Sequence, residues 1–210
     1  MGAPRKVKIA AAAAAVATIA VTAIAAFAAP LQVSWRDQAS DFDINRLQLL
    51  EQWREKAVWE AQHYSDSKGD FNAIRETLEP QGRTVPATAL VGNWHCRNMK
   101  MGGVNAYIVY RWFNCSIRAV NGGLFFQKND GSLRTQGTLY PENGAWIYLG
   151  AQSALGEPWH QYSGRRDSIG APATPDDQIG LLSGIGNNRL RLEIPGPVEE
   201  STYDIIEFAR

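Results

Sequence analysis

Val91-Gly92-Asn93-Trp94-His95-Cys96-Arg97-Asn98-Met99-Lys100-Met101-Gly102-Gly103 can be read in two ways. His95 beside Cys96 suggests a metal or catalytic centre. The same letters also suit the first strand of a barrel, stapled by a disulfide. Side chains on a strand point alternately to opposite faces. Trp94 and Cys96 then share one side, and His95 and Arg97 share the other. A histidine and a cysteine on opposite faces do not grip one metal, so the strand reading is preferred. Cys115 sits in Tyr107–Ile117, a run rich in aromatic and β-branched residues. Taken as one strand, that run puts Cys115 on the face of Val109, Phe113 and Ile117, which reads as buried. The spacing expects a Cys96–Cys115 bridge on the inside, around one hairpin; two free buried thiols are the other reading.

Outward from this stretch the period of two continues. It starts near Thr88, and turn signals divide the remainder of the chain into short runs. Asn121-Gly122-Gly123, Asn129-Asp130-Gly131, Glu142-Asn143-Gly144 and Asn187-Asn188 each separate two strand-like runs, and Ser201–Phe208 is the last run. The count predicts eight or nine short strands in an antiparallel meander, and closure into a barrel removes open edges. Residues 152 to 177 are rich in glycine, proline and polar residues and predict a long loop over one barrel end.

Before the strands the period is helical. Ser40 is a good N-cap, and Asp43 three residues later completes a capping box with a shorter acid. Ile44, Leu47, Leu50, Trp53, Ala57, Ala61 and Tyr64 recur at three- and four-residue steps, predicting one helix of about six turns. A second begins near Asp70, with Phe71, Ile74 and Leu78 on one side, and Pro80 ends it. The fold class expected is α+β, mainly β, with an N-terminal helical hairpin at 29–87 packed on a barrel at 88–210.

The first twenty-eight residues read as a signal peptide. Arg5, Lys6 and Lys8 precede an uncharged run from Ile9 to Phe27, and Ala26-Phe27-Ala28 is a cleavage signal. A retained membrane anchor is the alternative, since the run is long enough to span a bilayer. The expectation is a periplasmic or secreted protein, with no stable membrane insertion after cleavage. The chain holds 21 basic and 21 acidic residues, and the signal segment takes three of the bases and none of the acids. The slightly acidic remainder offers no footprint for nucleic acid. Its two cysteines, in an oxidising compartment, read first as a disulfide.

Motifs for chemistry are sparse. No nucleophile elbow, zinc-protease helix or phosphate loop occurs, and nothing calls for a cofactor or metal. Asp41, Asp43 and Asn45 resemble a calcium loop, but Arg46 replaces its glycine and Gln52 its terminal glutamate. His63 and His160 lack ligand spacing. Arg134, in Gly131-Ser132-Leu133-Arg134, offers a fork of donors to a carboxylate or phosphate, which Arg165, Arg166 and Asp167 of the long loop could join. The competing role is an ion pair with Glu199, Glu200 or Asp204. Arg134, Tyr162 and Arg166 are therefore the candidate ligand-binding residues. Glu157 and Asp167 are the candidate carboxylates of an alternative hydrolase reading, acting on cell-wall material.

Three resemblances bear on these expectations. Gly92-Asn93-Trp94 is similar to the Gly-x-Trp near the first strand of lipocalin-like, or calycin, barrels. In that group the tryptophan closes one barrel end and stacks against an arginine, which implies structural roles for Gly92 and Trp94. Gly92–Arg97, Lys100, Gly102, Phe113–Ile117, Lys128–Arg134, Gly137, Leu139-Tyr140, Tyr148–Gly150, Tyr162, Arg166–Gly170, Arg189–Leu192, Pro195, Pro197 and Glu200–Asp204 carry a wider resemblance. Through them the β region as a whole resembles a bacterial secreted family, domain of unknown function 4893. The resemblance covers roughly 35 to 210, with departures at His95 and Leu133, and implies an envelope protein without assigned catalytic residues. A looser similarity exists to periplasmic lysozyme-inhibitor barrels. The function expected is a non-enzymatic envelope barrel that binds a small molecule or a protein partner; the alternatives are the hydrolase and a lysozyme-inhibitor-like or structural component.

Overall fold

The computed structural model describes residues 1–2, 33–164 and 174–210. The signal-peptide reading, and Arg165, Arg166 and Asp167, lie outside the described residues.

Among the described residues five short helices precede the barrel strands: α1 (Trp35–Gln38), α2 (Asp41–Gln48), α3 (Leu50–His63), α4 (Phe71–Leu78) and α5 (Ala87–Leu90). The strands are β1 (Ser67–Lys68), β2 (Gly92–Met101), β3 (Tyr107–Val109), β4 (Phe113–Val120) and β5 (Gly123–Lys128), then β6 (Leu133–Glu142), β7 (Ala145–Ala154), β8 (Asp177–Gly186), β9 (Arg189–Pro195) and β10 (Tyr203–Ala209). From β4 to β10 each strand pairs antiparallel with the next; β10 then pairs with β2, and β2 with β4. That circuit closes an eight-stranded antiparallel barrel, with β3 and β1 appended to the free part of β2. The fold is mainly β, with the helices preceding the barrel strands, as the periodicity predicts.

The four hairpin signals fall between β4 and β5, β5 and β6, β6 and β7, and β8 and β9. Asn143 and Gly144 both take positive φ, 47° and 85°, the backbone that lets a two-residue turn follow strand twist. Thr88 belongs to the turn of α5, and β2 starts at Gly92. The long loop is shorter than its composition suggests, because β7 runs to Ala154.

The helical face bends. Leu49 leaves helical geometry, so the one helix expected becomes α2 and α3. The break lets two apolar stripes follow a curved surface. Leu50, Ala57, Ala61, Ala73 and Ile74 cover Met99, Met101, Tyr203 and Ile205 on the barrel exterior. Trp35, Ala39 and Ile44 cover Ile147, Leu149 and Ile179. Ser40 caps α2, its hydroxyl accepting from the Asp43 amide at 3.1 Å. The reciprocal arm of the box is not made directly. Asp43 is one methylene shorter than the usual glutamate, and the Tyr162 hydroxyl fills the gap. It accepts from the Ser40 amide at 2.9 Å and donates to Asp43 Oδ2 at 2.5 Å.

The expected single strand Tyr107–Ile117 is also two. Met99 pairs with Val109, but Cys96 pairs with Phe113. Four residues on one side therefore answer three on the other, the signature of a bulge. The extra residue reverses parity. Phe113, Cys115 and Ile117 point into the barrel core, whereas Val109 packs against the outer cluster. Grouping Val109 with Cys115 fails for this reason.

Candidate functional site

Trp94 and Cys96 are buried inside the barrel and His95 is exposed outside it, so alternation separates the imidazole from both sulfurs. Cys96 and Cys115 form a disulfide, with Cα atoms 5.9 Å apart. It joins β2 to β4 where those strands complete the circuit.

The two barrel ends differ. At the first, Leu90 and Trp94 are buried in the interior core, and the Trp94 indole donates to the Leu90 carbonyl at 2.8 Å. The Arg210 guanidinium lies over the Trp94 ring at 3.7 Å and donates to the carbonyls of Leu90, Val91 and Asn93. Gly92 adopts φ 135°, and a Cβ there would lie 2.8 Å from Arg210 Nη2. Above this floor Phe126, Tyr148, Leu192, Ile206 and Phe208 fill the interior with apolar bulk.

Toward the other end the inward residues turn polar. Register puts Asn98 and Lys100 of β2, Lys128 of β5, Thr135 of β6, Gln152 of β7, Gln178 of β8 and Asp204 of β10 on the interior face. All are buried. A cavity of about 240 Å³ opens here, lined by Asn98, Lys100, Tyr110, Phe113, Lys128, Ser132, Leu133 and Glu200. The bulge is what turns Tyr110 toward it, with the Tyr110 amide held by the Asn98 carbonyl at 3.0 Å.

The two lysines of this cavity have different surroundings. Burial works against the charge of Lys100, but Asp204 at 3.9 Å and Glu200 at 2.7 Å outweigh it and raise its pKa. Asp204 is itself pushed up by burial, against Lys100 and a 2.6 Å bond from Ser201. Lys128 forms no carboxylate salt bridge among the described residues. Its ammonium donates to the main-chain carbonyls of Asp130 at 2.9 Å and Leu133 at 2.5 Å, and lies 4.2 Å from the centre of the Phe113 ring. Burial pulls it down to about 8, with Asp130 opposing and Arg111 assisting. Asn98 adds a buried amide oxygen without a hydrogen-bond partner.

Arg134 and Tyr162, singled out in the sequence, do not line this cavity. Arg134 is on the outer face, stacked on Trp159 at 4.3 Å and donating to the main-chain carbonyls of Ala154 and Glu157. It fastens the loop after β7 and forms no ion pair with Glu199, Glu200 or Asp204 among the described residues. Tyr162 serves the cap of α2, so it is not brought together with Arg134. Arg166 lies outside the described residues. Glu157 is exposed and accepts from the Ala154 amide at 3.3 Å. His160 pairs with Asp176 at 2.9 Å, tying the two ends of the long loop. Lys128, missed in the sequence, carries a signal there: Leu124, Phe126 and Lys128 alternate, and the first two are inward.

A family model described as Domain of unknown function (DUF4893) matches residues 35–208. The chain belongs to this family. No curated protein and no solved structure matches it. The DUF4893 match spans both the helices and the barrel strands, so the helical cover is part of the family's unit. Its description assigns no chemistry. Among the described residues no three His, Cys, Asp or Glu side chains gather as for a metal ion, and no helix is long and apolar enough to cross a membrane.

Proposed function

We infer that this DUF4893 protein is an exported, non-enzymatic barrel of the cell envelope that takes a small molecule into its open end. One observation carries the reading. The interior passes from an apolar floor sealed by Trp94 and Arg210 to a polar cavity of about 240 Å³ at the opposite end. A fold needing only a core has no reason to bury Asn98, Lys100 and Lys128 along one such space, because buried polar groups cost stability unless fully paired. The sealed floor, the arginine over the tryptophan and the eight-stranded closure also fit a lipocalin-like shape. Export is supported by the charged start and cleavage signal of the first twenty-eight residues and by the disulfide, since such bonds persist in oxidising compartments.

The test is native mass spectrometry of the protein isolated from its own host. A stoichiometric small molecule should accompany the wild type and be lost from Leu133→Trp, which fills the cavity. Bare protein from both, or a species that Leu133→Trp retains, would overturn the reading.

A further inference from the structure

The lysines divide the work of the cavity. Lys100 already has its counter-charges in Glu200 and Asp204. Lys128, just 2% exposed, is held by main-chain carbonyls and an aromatic face, and Asp130 acts on it only from beyond salt-bridge distance. Burying a charge without an opposite charge is costly, and its strongest partner is an anion placed against it. Among the described residues no carboxylate is in salt-bridge contact with Lys128, and the cavity lies in front of it. Beside it stand Phe113 and Leu133, which are apolar, and Asn98, which is 8% exposed with its amide oxygen unpartnered.

We propose that the cavity binds a small carboxylate, its anionic group against Lys128, a short apolar body against Phe113 and Leu133, and a hydroxyl or amide donor, where present, on Asn98. This rests on the cavity being a ligand site and adds the class of ligand. Carboxylate fits better than a larger polyanion. Lys128 offers one point charge, no arginine fork lines the cavity, and Glu200 on its wall repels further negative charge.

The test compares three probes of one chain length on the full-length protein by calorimetry: hexanoate, hexan-1-ol and hexylamine. Hexanoate should bind one to one and at least about tenfold tighter than either of the others, as a charge-assisted bond implies. Lys128→Met should lose that advantage and bind hexanoate no better than hexanol. Hexanol or hexylamine matching hexanoate on the wild type would refute the carboxylate class while leaving the cavity a ligand site. Full hexanoate affinity in folded Lys128→Met would likewise refute it. Binding of none of the three to folded wild type would overturn both the carboxylate assignment and the ligand site. The three-probe comparison needs no variant, so it decides the matter even if Lys128→Met does not fold.

Discussion

Lys128 gives the residue scale its clearest consequence. Its amine titrates near 8 in the folded protein, against 10.5 when exposed. Between those values the unfolded chain holds a proton that the folded chain lacks, so raising the pH favours folding. Below about pH 8 both forms are protonated, and the folded state carries the burial penalty. Lys128→Met should therefore be more stable at pH 7, on the order of 1 kcal/mol, since the group is retained at a cost to folding. It should also lack the wild type's rise in stability above pH 8, at most about 1.4 kcal/mol per pH unit. Urea unfolding of both proteins from pH 7 to 10.5 reads this as a difference, cancelling other lysines and tyrosines. Tyr162 makes the opposite case. Burial and the neighbouring Asp43 raise its pKa well above that of a free phenol, so the hydroxyl stays protonated and keeps donating. Tyr162→Phe should cost about 1–2 kcal/mol in the same unfolding measurement, by leaving the Ser40 amide and Asp43 without their bridge, and should not change occupancy of the cavity. Residue parity was legible where the strand is regular, at Trp94, His95 and Cys96. The bonds of Arg134 to loop carbonyls and of Tyr162 to a helix cap were not legible, because a polar residue in a turn or loop does not say which group it will meet across the fold.

At the scale of elements, packing decided what periodicity left open. The pattern from Ile44 to Tyr64 continues through Leu49, so the break there is invisible until the helix must curve over a barrel. The bulge between β3 and β4 is equally silent, because Tyr107–Ile117 is uniformly strand-forming. Its effect is large, since it reverses which side chains enter the barrel. Strand β10 carries a readable sign of the helical cover: Tyr203 to Phe208 are all buried, with Asp204, Ile206 and Phe208 inward and Tyr203 and Ile205 beneath helices. An element apolar on both faces needs a layer on each. The β6–β7 pair makes a sharper prediction. Gly137 faces Gly150, and the Tyr148 ring lies over both. A Cβ on Gly150 would fall 2.0 Å from the Tyr148 hydroxyl and 2.3 Å from the Gln136 carbonyl that the hydroxyl bonds. Gly150→Ala should lose about 1–3 kcal/mol through displacement of that ring. Near-ultraviolet circular dichroism should show a changed tyrosine signal; an unchanged spectrum and stability would contradict the packing.

For the whole molecule, barrel closure is the feature on which the site depends. The Cys96–Cys115 bond spans 19 residues, across the seam where β2 meets β4. Chain-entropy reasoning assigns a loop of that length about 3 kcal/mol. The double variant Cys96→Ala, Cys115→Ala should unfold at correspondingly lower urea with the same secondary structure. Unchanged stability would mean that the seam holds without the bond. Closure, the helical cover and the cysteine pairing were legible because they follow from alternation, turn chemistry and an even cysteine count. The cavity was not, because its lining comes from β2, β4, β5, β6 and the segments between strands, and its polar members each read alone as ordinary surface residues. Only the register gathers Asn98, Lys100, Phe113, Lys128 and Leu133 around one space.

The most direct test of that space watches the lysines themselves. Reductive ¹³C-methylation makes each lysine of the full-length protein visible by NMR, and addition of hexanoate then asks which of them a carboxylate meets. The Lys128 resonance should move and saturate while Lys56 and Lys68 stay in place. Movement confined to Lys56 and Lys68, or a Lys128 signal indifferent to the probe, would contradict the account.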